Sequence, residues 1–204
     1  MSEIIFKKVD ITNLDYYLDS ICQIHKKAYS SSHLTSSFPL WLLHGYYNSL
    51  VKASAYSFVA MHNNEVEGFV ISGNNFIDEM KKFQRKNFYK IIFFSFLRPV
   101  TFVYKSYFFI KSKISSLSKL KKNFENKVKY RLFSIAVLPS TQSSGLGSKM
   151  ISHLEEMLIH MKIYEYGLSV KRSDGRAISF YERNSFLFEK SVDDNDFFIK
   201  NLEY

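Results

Sequence analysis

The chain has 204 residues, 28 Lys and Arg against 19 Asp and Glu, and a formal charge of +9, enough length for one domain with an ample core. Its single cysteine, Cys22, excludes an internal disulfide. With a polar N-terminus and no signal-peptide pattern, that composition fits a reducing cytoplasm.

Ile4 to Val9 reads as an opening strand. Leu14 to Tyr29 is helical by the spacing of Leu18, Ile21 and Ile24, and Cys22 within it reads as a buried structural thiol. Phe38 to Val51 forms a second helix around Trp41 and Leu42. Tyr56 to Ala60 and Val66 to Ile71 make a hairpin about His62-Asn63-Asn64-Glu65. His25, His33, His44 and His62 lack metal-ligand spacing, so each is expected to be a surface or partly buried imidazole and no metal is expected.

A basic, aromatic-rich helical insertion is expected over about residues 76–125. Between 81 and 122 it holds twelve Lys and Arg and no acid, interleaved with residues such as Phe83, Phe88, Tyr89 and Phe94. Pro99 separates two helices near Arg98. Arg98, Pro99 and Lys105 interrupt an apolar run that would need about 20 residues to span a bilayer. Three readings stay open: aromatics packed on the core with lysines in water, a helix pair lying on an anionic membrane, or a basic rim that attracts a phosphorylated substrate. Nothing else in the chain supports nucleic-acid binding.

The most informative stretch runs from Val137 to Met150. Tyr130 to Val137 suits a buried strand that Pro139 ends, having no amide donor. From Met150 the residues Ile151, Leu154, Met157, Leu158 and Met161 recur at helical spacing. The loop Gln142 to Gly147 therefore sits at a helix N-terminus, where free amides and glycines leave room for an anion such as a pyrophosphate. A Walker loop is excluded by the order Gly147-Ser148-Lys149, and a dinucleotide fingerprint by Met150 in place of its third glycine. Downstream come a strand over Tyr166 to Val170 and a turn at Ser173-Asp174-Gly175. A short helix from Arg176 to Asn184 follows, capped by Asp174 or Ser173, then strands over Phe186 to Lys190 and Asp196 to Leu202.

Gln142-x-x-Gly145-x-Gly147 after a strand ending in Val137-x-Pro139 resembles the acetyl-CoA loop of the GNAT N-acetyltransferase superfamily. The later segment is similar too: Ala177, Tyr181 and Phe186 match, while Asp174 stands where the superfamily usually has Asn and Ser185 where it has Gly. The resemblance covers about residues 130–200 and implies a single α+β domain over residues 1–204, with α/β/α layers and a mixed, largely antiparallel sheet flanked by helices. It further implies that the amides of Gln142, Ser143, Ser144, Gly145, Leu146, Gly147 and Ser148 wrap the pyrophosphate of acetyl-CoA. The backbone of Ile135, Ala136 and Val137 would pair with the pantetheine arm, with Asp174 and Ala177 also on the cofactor side. The Val137 amide becomes an oxyanion-type donor and Tyr181 the general acid.

The general base is not readable. The strand before the loop has no carboxylate, and Ser134, His62, Glu65 and Glu67 remain as candidates. The implied activity is acetyl-CoA-dependent acetylation of a small primary amine, best an amino sugar, free or nucleotide-linked, of surface polysaccharides. The alternatives are a peptide or protein N-acetyltransferase, and a non-catalytic CoA-binding module held at the inner face of a membrane by residues 81–122. A polyamine fits worst, because the basic face repels a polycation.

Overall fold

The structure, a computed structural model, describes residues 3–29, 33–74, 76–90 and 128–202. In chain order the elements are β1 (Ile5–Lys8), α1 (Leu14–Ala28), α2 (Leu40–Ala53), β2 (Tyr56–His62), β3 (Glu65–Gly73) and α3 (Phe76–Lys86). They continue with β4 (Arg131–Val137), α4 (Leu146–His160), β5 (Glu165–Lys171), α5 (Gly175–Arg183), β6 (Leu187–Val192) and β7 (Asn195–Asn201).

The strands form one sheet in the order β1-β2-β3-β4-β5-β7-β6. The β2–β3 hairpin turns on Asn63 and Asn64, with φ of 50° and 64°, the paired left-handed conformation that a two-residue turn requires. All pairings are antiparallel except β4 with β5. On one face, Ile21, Ile24, Leu43, Tyr47 and Leu50 from α1 and α2 pack with Val59, Phe69, Ile71 and Ala136. On the other, Met150, Ile151, Leu154 and Leu158 of α4 pack with Phe58, Val70, Leu132, Leu168 and Phe198. Burial of these apolar side chains on two faces is what fixes the sheet between its helices.

Two helix starts differ from expectation. The helix expected to follow the loop ending at Gly147 begins one residue earlier, at Leu146, because the Gly145 carbonyl already accepts the Lys149 amide. The second helix begins at Leu40, since Pro39 stands at its N-cap in extended conformation after a 3-10 turn over Leu34–Ser37. Cys22 is buried as expected, and burial pushes its thiol up to about 12. The start of the basic stretch is helical: Phe83 is buried against Tyr46, with ring centroids 5.8 Å apart, whereas Phe88 and Tyr89 are exposed. Lys81 and Lys82 pair with Asp78 and Glu79, the acids just ahead of the run. Pro99 and the rest of the stretch to residue 122 lie outside the described residues. Among the described residues no helix is long and apolar enough to cross a membrane.

Candidate active site

Strands β4 and β5 meet through one residue pair, Arg131 with Gly167, where the Gly167 amide donates to the Tyr130 carbonyl at 3.0 Å. Beyond it the two parallel strands part, leaving the β5-facing edge of β4 without a ladder. The Leu138 amide donates to the Glu67 carbonyl at 2.7 Å on the β3 side. Successive amides of a strand point to opposite edges, so the Val137 amide faces the opening, as does that of Ile135. The opening is a cleft of about 1220 Å³.

One bank of this cleft is the loop into α4. Ser143 and Gly145 adopt φ of 71° and 82°, and Gly145 is the N-cap. A Cβ on Gly145 would meet nothing within 4 Å, so glycine serves the backbone conformation there. Gly147 differs: a Cβ would stand 3.0 Å from the Phe180 ring, so its missing side chain admits α5 against α4. Gln142, Ser143, Gly145, Gly147 and Ser148 line the cleft together with Ile135, Ala136 and Val137. Ser144 and Leu146 do not: the Ser144 hydroxyl donates to the Thr141 carbonyl at 2.7 Å, and Leu146 is buried in the core. The amides of Leu146, Gly147 and Ser148 precede the first i→i−4 bond of α4 and have no intrahelical partner.

Helix α5 closes the same bank. Asp174 accepts from the Ala177 amide at 3.1 Å, so it caps the helix as an Asn would, and its other oxygen lies 4.0 Å from His33 Nε2. Arg176 donates to Gln142 Oε1, tying the loop to α5. Tyr181 and Ala177 both line the cleft. The Tyr181 ring packs edge-on to Phe186 at 5.5 Å. Burial, and then the neighbouring Tyr29, hold the Tyr181 phenol well above its ordinary pKa, so it stays protonated across the working range. Ser185, which stands where the resemblance usually has glycine, has φ of 65° and makes the left-handed turn with a side chain in place.

The facing bank comes from the end of α1, the turn after it and α2. Tyr29 donates to or accepts from Ser134 Oγ at 2.8 Å. His25 is stacked on Tyr29 at 4.2 Å, and its Nδ1 lies 2.6 Å from the Tyr47 hydroxyl. His25 is 2 % exposed, not the surface or partly buried imidazole expected. Burial, followed by the charges of His33 and Lys26, lowers its pKa to about 4, so it is neutral. Its place was signalled by Leu14, Leu18, Ile21 and His25 falling on one helical stripe. Of the base candidates, Ser134 lines the cleft. His62, Glu65 and Glu67 do not; His62 pairs with Glu67 at 3.1 Å on the β2–β3 hairpin instead. The charged lining is otherwise basic: Lys129, Arg131, Lys171, Arg176 and Arg183 against Asp174. Among the described residues no group of His, Cys, Asp or Glu is placed to hold a metal ion.

A split sheet whose loop and helix N-terminus line one cleft defines a class of acyl-transferring protein, and the family comparison agrees. The model of the acetyltransferase (GNAT) family matches residues 18–186, so the chain belongs to that family, which uses acetyl-CoA as acetyl donor. No curated protein matches the chain in sequence. Solved structures do share its fold. A protein of Pyrococcus horikoshii OT3 superposes with a TM-score of 0.62 at 14% identity, covering 99% of this chain and 100% of its own. The PaiA N-acetyltransferase of Thermoplasma acidophilum, in complex with coenzyme A, gives 0.54 at 15% identity, with 98% and 99% covered. The ribosomal-protein-S18-alanine N-acetyltransferase of Escherichia coli gives 0.53 at 17% identity, with 98% and 93% covered. Identities this low carry the fold and leave the acceptor to be argued from the cleft.

Proposed function

We propose that the chain acetylates the primary amine of an amino sugar, free or carrying a phosphate or nucleotide, with acetyl-CoA as donor. The observation that carries this reading is the lining of the cleft. Its acceptor side offers ring faces from Tyr29, Tyr46, Phe76 and Phe133, with Phe76 and Phe133 4.6 Å apart, and hydroxyls from Tyr29 and Ser134. Aromatic faces with a few placed polar groups suit a ring that is apolar on its flat side and polar at its rim. Five basic side chains and one acid favour an anionic acceptor over a polycation.

In this reading the amides of Ser143, Gly145, Gly147 and Ser148, which line the cleft, hold the pyrophosphate of acetyl-CoA at the N-terminus of α4, where the helix dipole favours an anion. The backbone edge of Ile135 to Val137 takes the pantetheine arm, and the Val137 amide is the donor to the thioester oxygen. Tyr181, held protonated, gives its proton to the departing thiolate, and the proton that the amine loses on forming the amide restores the phenol. Acetyl-CoA supplies the acyl carbon that the amine attacks.

Calorimetric titration with acetyl-CoA tests the cofactor half of this assignment, using Ser148→Glu as the control. Ser148 is exposed in the first turn of α4, where a carboxylate favours the helix but repels a pyrophosphate. We expect Ser148→Glu to keep its melting temperature and to lose at least tenfold in acetyl-CoA affinity. Equal affinity in the two proteins would place the pyrophosphate elsewhere. Thiol release measured with glucosamine, glucosamine 6-phosphate, a nucleotide-linked amino sugar and a peptide with a free N-terminus then decides the acceptor. Turnover of the peptide alone would replace the amino-sugar reading with a peptide one.

A further inference from the structure

We propose that Leu40, Trp41, Phe88 and Tyr89, with the basic side chains of Arg85, Lys86 and Lys90, form a docking surface for the face of an anionic lipid bilayer. This surface lies outside the cleft and is independent of which amine is acetylated.

The packing of α3 on α2 builds it. The Phe83 ring is buried against Tyr46, and Gly45 leaves room for it, since a Cβ there would stand 3.3 Å from that ring. Asn87 then ends α3: its amide and its side-chain nitrogen both donate to the Phe83 carbonyl at 3.0 Å. The residues that follow emerge beside the first turn of α2, where Lys90 Nζ lies 5.6 Å from the centre of the Trp41 ring. Phe88 and Tyr89 pack edge-on with centroids 5.6 Å apart. All four apolar side chains stay in solvent: Tyr89 is 84 % exposed, and Leu40, Trp41 and Phe88 are each 51 % exposed.

Charge selects the occupant. Arg85 and Lys86, in the last turn of α3, and Lys90 have no ion pair among the described residues, whereas Asp78 and Glu79 are matched with Lys81 and Lys82. The sequence continues in the same sense, with no acid between Lys81 and Lys122. Trp and Tyr have an apolar body and a polar tip, which suits the boundary between headgroups and acyl chains. Exposed rings beside unspent cations match a surface that is anionic outside and hydrocarbon just beneath. Docking there leaves the cleft open. Phe76 at the start of α3 lines the cleft, whereas the patch begins past the other end of that helix, about 16 Å away by helical rise.

Trp41 is the one tryptophan of the chain, so its fluorescence reports this surface alone. The intact protein is titrated with phosphatidylcholine vesicles, with and without phosphatidylglycerol, at low salt. With the anionic vesicles only, we expect a blue shift of the emission and quenching by lipids brominated in their acyl chains, both reversed by salt. Combining Arg85→Gln, Lys86→Gln and Lys90→Gln should weaken partitioning about a hundredfold, and Phe88→Ser with Tyr89→Ser about tenfold. Because these side chains are exposed, both variants should keep the melting temperature and acetyl-CoA affinity of the parent. No shift with anionic vesicles at low salt would overturn the proposal, as would vesicle binding that leaves Trp41 unquenched. A shift caused by single-stranded RNA and not by vesicles would overturn it in favour of nucleic acid. Emission already blue without vesicles and unchanged by them would overturn it by showing that the chain itself covers Trp41.

Discussion

Tyr29 stands close enough to Tyr181 to discourage its ionisation, yet the cleft gives the two phenols different partners. Tyr29 is hydrogen-bonded to Ser134, whereas Tyr181 is framed by the rings of Phe180 and Phe186. A phenol with no internal acceptor for its proton can give that proton to a leaving thiolate. Tyr181→Phe should therefore lower kcat by about a hundredfold while acetyl-CoA affinity, read by calorimetry, stays the same. Normal turnover in that variant would move the acid role elsewhere.

The loop, α4 and α5 behave as one unit, because Gly147 accommodates Phe180, Arg176 reaches Gln142 and Asp174 caps α5. A bulky residue at 147 therefore meets α5 before it meets any ligand. We expect Gly147→Leu to cost about 1–3 kcal/mol in urea denaturation, and Phe180→Ala in the same chain to recover part of it. Strict additivity of the two changes would show that the contact is not made. This unit was legible in the sequence because its signals are local: Pro139, the two glycines, the apolar spacing of α4 and the Ala177–Tyr181 interval all fall within short windows. The split of β4 from β5 was not, since Arg131 to Val137 alternates in the same way whether or not its edge is paired. Nor was the Tyr29–Ser134 bond, which joins residues 105 apart. Polar contacts across the fold leave no periodic trace, so the hairpin carboxylates looked as available as Ser134 until the cleft was seen.

Across the whole molecule, burying a neutral histidine couples folding to pH. The unfolded chain takes up a proton at His25 below about 6.5, whereas the folded chain refuses it until about 4. Folding stability is therefore fully present above the first value and falls as pH drops toward the second. The gap corresponds to about 3 kcal/mol, a sizeable part of the stability of an ordinary domain. Asp196 acts in a lower window. The Ser191 hydroxyl, and then Arg172, hold its carboxyl below the usual range, so its contribution is lost only as pH falls below about 3.8. Urea denaturation of the intact chain at intervals from pH 7 to 4 should show stability declining with acidity. His25→Leu, which removes the proton acceptor but fills its volume, should flatten that decline, and Asp196→Asn should leave it in place. An unchanged slope in His25→Leu would mean that the imidazole is protonated in the folded protein.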